Sequence, residues 1–381
     1  MTMEFSFTEE QKMFRDNFKA FAAKEIAPIA QQYDEQEEFP YHLFKKLAEL
    51  GDLGLMLPEE YGGGGGDAIM AMIMFEEMSY ACPGIGVGIY VHVGLAMIAI
   101  NSFGTHEQKQ RYLVPGIRGE KIGAWGFAEP NAGSDPGSMT TRAKKTADGY
   151  YTINGTKMFI SNGSFADFVV VTAITDPAKG MKGLSLFIVD KGTPGFSVSK
   201  KIRTMGMRAN DTTELVFEDC RIPNSALLGE ENEFNNIMGT LTFGRIVASA
   251  MSVGLARGAF DYALSYAKER VAFGQPIGKF QGIQWMLADM ATQIEAARLL
   301  AYQSCWLYQE GLPHIKEACM AKLFASKVAT MVANTALQIH GGYGYVMDYP
   351  IQMYYRDCKL GEIGEGTTQI QLNTIARLLG L

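Results

Sequence analysis

The chain is predicted to be an α+β protein, mostly α: an N-terminal helical domain over residues 1–120, a middle antiparallel β-barrel or sandwich over 121–228, and a C-terminal four-helix bundle over 229–381. Three observations predict this order. Up to about residue 120 the apolar residues recur at helical spacing. Short β-rich runs parted by turn residues then fill the middle third. Beyond Pro223 the next prolines are Pro276, Pro313 and Pro350, and long stretches between them carry a helical period.

In the first third, Phe14, Phe18, Phe21 and Ala22 share one helical face, and Leu43, Leu47 and Leu50 share another before a stop at Gly51. The most apolar stretch, 85–100, contains three glycines and His92. It is short for a bilayer span of about 20 residues, which predicts a buried helix. The glycine run 62–66 has no strand before it and no Lys-Ser/Thr after it, so a flexible connector is expected rather than a phosphate loop. Gly84, Gly86 and Gly88 do not have the GxGxxG spacing of a dinucleotide fingerprint. In the middle third, runs 150–153, 168–175, 184–189 and 213–217 read as strands, and Asn154-Gly155 predicts a hairpin turn because both residues tolerate positive φ. Helices do not alternate with these strands, which excludes a doubly wound nucleotide fold. In the last third, Val253, Ala256, Phe260 and Leu264 mark one face of a long helix. Three long helices and a short last one over 368–379 make the bundle.

With 381 residues, 47% apolar and 20% charged, the chain can bury large cores. A net charge of -7 without a basic run along one face argues against nucleic acid as a partner. Cys82, Cys220, Cys305, Cys319 and Cys358 form no CxxC pair and read as reduced thiols in a cytoplasm. The five histidines offer no HxxxH or HExxH spacing, so no metal site is expected. The start, Met-Thr-Met-Glu, is acidic where a targeting segment is basic, so neither export nor membrane insertion is expected.

Several segments occur in an order that resembles the acyl-CoA dehydrogenase family along the whole chain. Phe127-Ala-Glu-Pro-Asn-Ala-Gly-Ser-Asp135 reads by itself as a turn but resembles the family's first signature. Asn154-Gly-Thr-Lys-Met-Phe-Ile-Ser-Asn162 resembles the strand beside the flavin, and Met205-Gly-Met-Arg-Ala-Asn-Asp-Thr212 is a third, structural match. Arg270-Val-Ala-Phe-Gly274, Gln281 and Gln338-Ile-His-Gly-Gly342 resemble stretches that grip FAD in a neighbouring subunit, although an Arg in a last helical turn followed by glycine is also an ordinary helix end. Arg356 to Gln371 resembles the second signature, containing Glu365-Gly-Thr.

The resemblance implies that Glu365 is the catalytic base and FAD the cofactor. It assigns flavin contacts to Trp125, Phe127, Ala128, Gly133, Ser134, Phe159, Ser161, Arg270, Phe273, Gln281, Gln338, Gly341, Gly342, Thr367 and Gln369. Contacts to the thioester substrate go to Ser134, Thr242, Arg245, Gly364 and Gly366. The chemistry explains the base: the α-hydrogen of a thioester is a weak acid, so a carboxylate must take it while flavin N5 accepts the β-hydride. The plainer alternative is a carboxylate before a helix dipole, with Thr368 and Gln371 as a capping box. Three departures stand out: Ala128 replaces the usual Thr, Phe159 a frequent Trp, and Gly364 a large side chain. The position aligned with the distal-carboxylate Arg of glutaryl-CoA members is Gly86, which disfavours a dicarboxylic substrate. The expectation is a homotetramer that oxidises a short, branched or alicyclic acyl-CoA to the 2-enoyl-CoA and passes electrons to an electron-transfer flavoprotein. A 2-enoyl-CoA reductase, an acyl-CoA oxidase and a catalytically silent flavin-binding assembly subunit are the alternatives.

Overall fold

The computed structural model describes residues 6–381; residues 1–5 of the acidic start lie outside the described residues. Eight helices come first: α1 (Glu9–Phe21), α2 (Ala30–Gln36), α3 (His42–Leu50), α4 (Ala68–Ala81), α5 (Pro83–Tyr90), α6 (Ile98–Phe103), α7 (His106–Gln108) and α8 (Val114–Ile117). Strands follow: β1 (Gly123–Gly126), β2 (Arg142–Lys145), β3 (Tyr150–Ser161), β4 (Phe168–Ile174), β5 (Leu184–Asp190), β6 (Phe196–Lys201), β7 (Thr212–Pro223) and β8 (Leu227–Leu228). Then come α9 (Phe234–Glu269), a hairpin of β9 (Val271–Ala272) and β10 (Gln275–Pro276), α10 (Gln281–Gln309), α11 (Ile315–His340), α12 (Ile351–Ile363) and α13 (Thr368–Leu378). The described residues divide into two compact units, each assembled from distant segments: 6–34, 66–86 and 245–381 in one, 35–65 and 87–244 in the other.

In the first unit, α4 is apolar all round and buried along nearly its whole length, as a central helix must be. The backbone of α9 approaches it closely, because a Cβ at Gly254 would lie 2.0 Å from Glu76 O and one at Gly258 would lie 2.6 Å from Tyr80 O. Burial of Glu76 and Glu77 on α4 is matched by cations. Arg257 Nη1 donates to both (2.5 and 2.7 Å), while Arg298 Nε (3.0 Å) and Tyr302 Oη (2.7 Å) donate to Glu76. The helix α11 packs against α10, α12 and α13. The bundle therefore holds one helix more than expected: α12, whose apolar positions Ile351, Met353, Tyr354 and Cys358 are interleaved with charge and interrupted by Gly361.

In the second unit the sheet order is β6-β7-β3-β2-β4-β5-β8, and β1 also pairs with β4. Most pairs are antiparallel, but β1 and the first residue of β2, Arg142, pair parallel to β4. Tyr151, Ile153, Val169, Val171, Phe187, Leu215 and Phe217 fill the core beneath it. No hairpin turn forms at Asn154-Gly155, because β3 continues through it. The pair instead sits at a register shift against β7. Asn154 Oδ1 accepts from the Asp219 amide (2.8 Å), its Nδ2 donates to Asp219 Oδ1 (3.1 Å), and a Cβ at Gly155 would meet Thr141 Oγ1 at 2.3 Å. A dipeptide that suits a tight turn also suits a bulge, and twelve residues of pairing partner decide between them.

The glycine run 62–66 is a connector, though a tightly packed one: a Cβ at Gly63 would lie 2.1 Å from Leu57 O. The apolar stretch at 85–100 is a buried helix with a π-helical segment, Val91–Met97. Two helical stretches, Pro83–Phe103 and Phe234–Glu269, reach the length and hydropathy of a membrane span, but 89% and 78% of their apolar windows are buried within the protein, as core helices are. All five cysteines are unpaired and buried.

Candidate active site

In the second unit, β1 ends beside a segment braced from below. Lys157, fully buried on β3, pairs with Glu129 at 2.8 Å and donates to Phe127 O (3.1 Å) and Thr172 Oγ1 (3.2 Å). Glu129 also accepts from Thr140 N (2.6 Å), Thr140 Oγ1 (2.9 Å) and Thr141 N (3.1 Å). Burial pushes the Glu129 carboxyl up, but the Lys157 ammonium and these donors outweigh it and hold it at about 2. The pair fixes the backbone of Phe127 and Ala128, and Ala128 O accepts from Met158 N at 2.8 Å. Neither Glu129 nor Lys157 was singled out from the sequence. The available signal was parity: Lys157 falls on the inward side of β3 with Tyr151 and Ile153.

Around this brace lie the other residues expected to touch a flavin. Trp125 is buried, and its indole Nε1 has no hydrogen-bond partner among the described residues. Phe159 is 65% exposed at φ 62°, between the residues where β3 slips register on β7. An apolar ring held outward in left-handed backbone is strain that packing does not explain. Ser161 Oγ accepts from Asn210 Nδ2 (2.9 Å), while Gly133 and Ser134 are exposed.

In the first unit, Glu365 sits at φ 53° in the loop between α12 and α13. The carbonyls on its C-terminal side are pinned. Lys322 Nζ donates to Gly366 O (2.6 Å), and Gln371 Nε2 donates to both Glu365 O and Gly366 O (2.9 Å each). The cap differs from the expected box. Thr367, not Thr368, is the N-cap and accepts from Ile370 N, and Gln371 reaches back to carbonyls instead of an amide. The left-handed turn at Glu365 and Gly366 leaves those carbonyls in need of a donor. Gln369 is exposed. Lys322 is buried, and burial pushes its ammonium down to about 8 against the opposing effect of the Glu365 carboxylate. Arg245 on α9 is also buried, with Nη1 3.9 Å from Cys319 Sγ. Thr242, earlier on α9 and within the second unit, is buried and donates its hydroxyl to Met238 O (2.8 Å).

A separate groove of about 530 Å³ in the first unit is lined by Tyr266, Arg270, His340, Gly341, Gly342 and Tyr343, among others. The Arg270 guanidinium lies over the Tyr343 ring at 5.2 Å. Phe273, at the tip of the β9–β10 hairpin with φ 52°, is 96% exposed, and Gln281 and Gln338 are exposed as well. The structure thus gathers Arg270, Gly341 and Gly342 into one concavity and leaves Phe273 projecting.

These surfaces fit a flavin: an unpartnered buried indole N–H, an outward aromatic wall, and an open glycine-serine segment on a braced strand end. Residues 8–120 match the acyl-CoA dehydrogenase N-terminal domain, 124–220 the middle domain and 234–380 the C-terminal domain. The chain belongs to the acyl-CoA dehydrogenase family. It is 47% identical over 370 residues to the short-chain-specific acyl-CoA dehydrogenase of Clostridium acetobutylicum, with 97% of each chain covered. It is 45% identical over 377 residues to the acryloyl-CoA reductase (NADH) of Anaerotignum propionicum, covering 98% of this chain and 95% of that one. The structure of butyryl-CoA dehydrogenase from Megasphaera elsdenii superposes with a TM-score of 0.96 at 42% identity, with 100% of both chains covered. As an acyl-CoA dehydrogenase, this protein is a flavoprotein oxidoreductase that acts on the CH–CH bond of an acyl-CoA thioester.

Proposed function

We propose that the flavin is FAD and that Glu365 removes the α-proton of a short acyl-CoA, giving the 2-enoyl-CoA. The observation that carries this reading is the Glu365 loop. A carboxylate is held in left-handed backbone by two buried donors, Lys322 and Gln371. Strain maintained by buried partners fixes a side chain's direction, which a general base needs. FAD, when bound, supplies the acceptor for the β-hydride. Trp125, Phe159 and Ser161 suit the ring system; Phe127, Ala128, Gly133 and Ser134 suit the adjoining polar part; Thr367 and Gln369 flank the base. Ser134, Thr242, Arg245, Gly364 and Gly366 are the positions for the thioester and its coenzyme A portion.

Arg270, Phe273, Gln281, Gln338, Gly341 and Gly342 then hold the FAD of a neighbouring copy in a homotetramer. Support comes from the exposed Phe273, Trp285 and Tyr345 of the first unit, since large apolar side chains in water mark contact surfaces. An electron-transfer flavoprotein is the proposed acceptor, and the unpaired cysteines fit a cytoplasm. The test is anaerobic mixing of the yellow protein with butyryl-, isobutyryl-, cyclohexanecarbonyl- and octanoyl-CoA. Bleaching of the flavin with at least one short or branched thioester is expected; a flavin that stays yellow with all four contradicts the reading and points to a silent assembly subunit. The reverse direction, reduction of a 2-enoyl-CoA, is the second reading, favoured by the 45% identical acryloyl-CoA reductase. Reoxidation of the reduced flavin by crotonyl-CoA much faster than its reduction by butyryl-CoA would favour it.

A further inference from the structure

Lysine is among the residues least often fully buried, because its ammonium loses hydration that few partners replace. Lys322 is 1% exposed, on the face of α11 that also carries Cys319 and Ser326. A methionine would fill similar space without the charge, so the charge itself asks for a reason. Its hydrogen bond goes to no helical carbonyl but to Gly366 O, one residue beyond Glu365. The charged and titratable groups around it come from every neighbouring element: Arg245 on α9, Cys319 on its own helix, Glu362 on α12, Glu365 in the loop, with Arg377 on α13 acting on Cys319. Glu362 is engaged elsewhere, accepting from Thr330 Oγ1 (2.5 Å) and Lys359 Nζ (3.1 Å). Of the charges near Lys322, Glu365 acts on it most strongly, favouring its charged form against the effect of burial.

We propose that Lys322 is a positioning residue for the base: it grips the Gly366 carbonyl so that Glu365 keeps its left-handed conformation, and its positive charge keeps the Glu365 carboxylate ionised and ready to accept a proton. This rests on the reading of Glu365 as the base. Two roles follow, and they separate by substitution. Lys322→Gln keeps a donor for Gly366 O but removes the charge, Lys322→Arg keeps both in altered shape, and Lys322→Met removes both.

The experiment measures two things on the flavin-loaded protein. One is the pH at which Glu365 protonates, read from the carboxylic-acid band that infrared difference spectra show in the parent and lose in Glu365→Gln. The other is anaerobic flavin reduction by butyryl-CoA across pH. An opposite charge at short range typically lowers a carboxyl by about 1–3 pH units, and Arg245 remains, so Lys322→Gln and Lys322→Met are expected to raise the midpoint by about one unit. At pH below the midpoints, reduction should fall roughly tenfold for each such unit, and it should recover as pH rises through the new midpoint, further for Gln than for Met. Lys322→Arg should keep the parent midpoint. An unchanged midpoint in the Gln variant, with reduction within about threefold of the parent at every pH, overturns the proposal. If Lys322→Met does not fold, the Gln and Arg variants decide on the same criteria. Failure of the underlying reading looks different: Glu365→Gln would then still reduce its flavin.

Discussion

Gly364 adopts φ −68° and ψ 162°, backbone that any residue tolerates, and a Cβ built there meets nothing closer than Leu360 O at 3.4 Å. Conformational freedom therefore does not explain this glycine, which points to the space beside the base where the resemblance expects a large side chain. Gly364→Tyr should lose activity on isobutyryl- or cyclohexanecarbonyl-CoA more than on butyryl-CoA. One obstructed methyl or methylene contact is worth about 1–3 kcal/mol, so the ratio of kcat/KM should move by roughly 10–200-fold. Equal loss on both substrate types, with FAD content unchanged, would remove the pocket argument. Strain lies elsewhere. Among the described residues, Phe159, Phe273 and Glu365 all sit at positive φ without being glycine. All three were legible as site candidates from the motifs they belong to, but not as strained positions, because nothing in a Phe or Glu announces left-handed backbone. Lys322 escaped the sequence, and Gln371 was read as half of a capping box instead of a donor to the Glu365 and Gly366 carbonyls, for a related reason: the role of a buried polar side chain is recognisable only once its partner is in view.

At the scale of elements, the brace between Glu129 and Lys157 joins the segment after β1 to β3, and it makes a sharp stability prediction. Lys157→Met leaves a buried carboxylate without its cation, which typically costs about 3–5 kcal/mol in denaturant unfolding. The double variant Lys157→Met, Glu129→Leu should recover part of that loss, because no lone charge remains. A single-variant loss under about 1 kcal/mol would mean the pair contributes little. The Glu129 carboxyl is held below its unfolded value, so its contribution is full above about pH 4.5 and is lost as pH falls through about 2. The elements themselves were partly legible. The stop at Gly51, the buried helix around 85–100 and strands β4 and β5 follow from period and punctuation. The hairpin expected at Asn154-Gly155 did not form, because local turn chemistry was outweighed by pairing with β7, which lies far along the chain. Missing α12 has the converse cause: its buried side is set by packing on α11, which weakens the periodic signal in a helix of thirteen residues.

For the whole molecule, the order helical, β-rich, helical could be read from the sequence. The assembly of each compact unit from separated segments could not, since it depends on contacts such as Gly254 and Gly258 against α4. The exposed Phe273, at the tip of the β9–β10 hairpin and edge-on to the Phe280 ring, predicts that self-association and cofactor retention are coupled. Phe273→Ser should shift sedimentation toward smaller species and lower FAD retention after gel filtration; a variant that loses one of these and keeps the other would separate the two properties, and one that keeps both would remove Phe273 from the account. The central claim is that Glu365 is the base, and stopped-flow reduction of the flavin by butyryl-CoA in parent and Glu365→Gln tests it most directly. A positioned general base is typically worth about 10²–10⁴-fold. The account predicts a loss of at least that size with the fold and acyl-CoA binding retained, whereas reduction within about tenfold of the parent would contradict it.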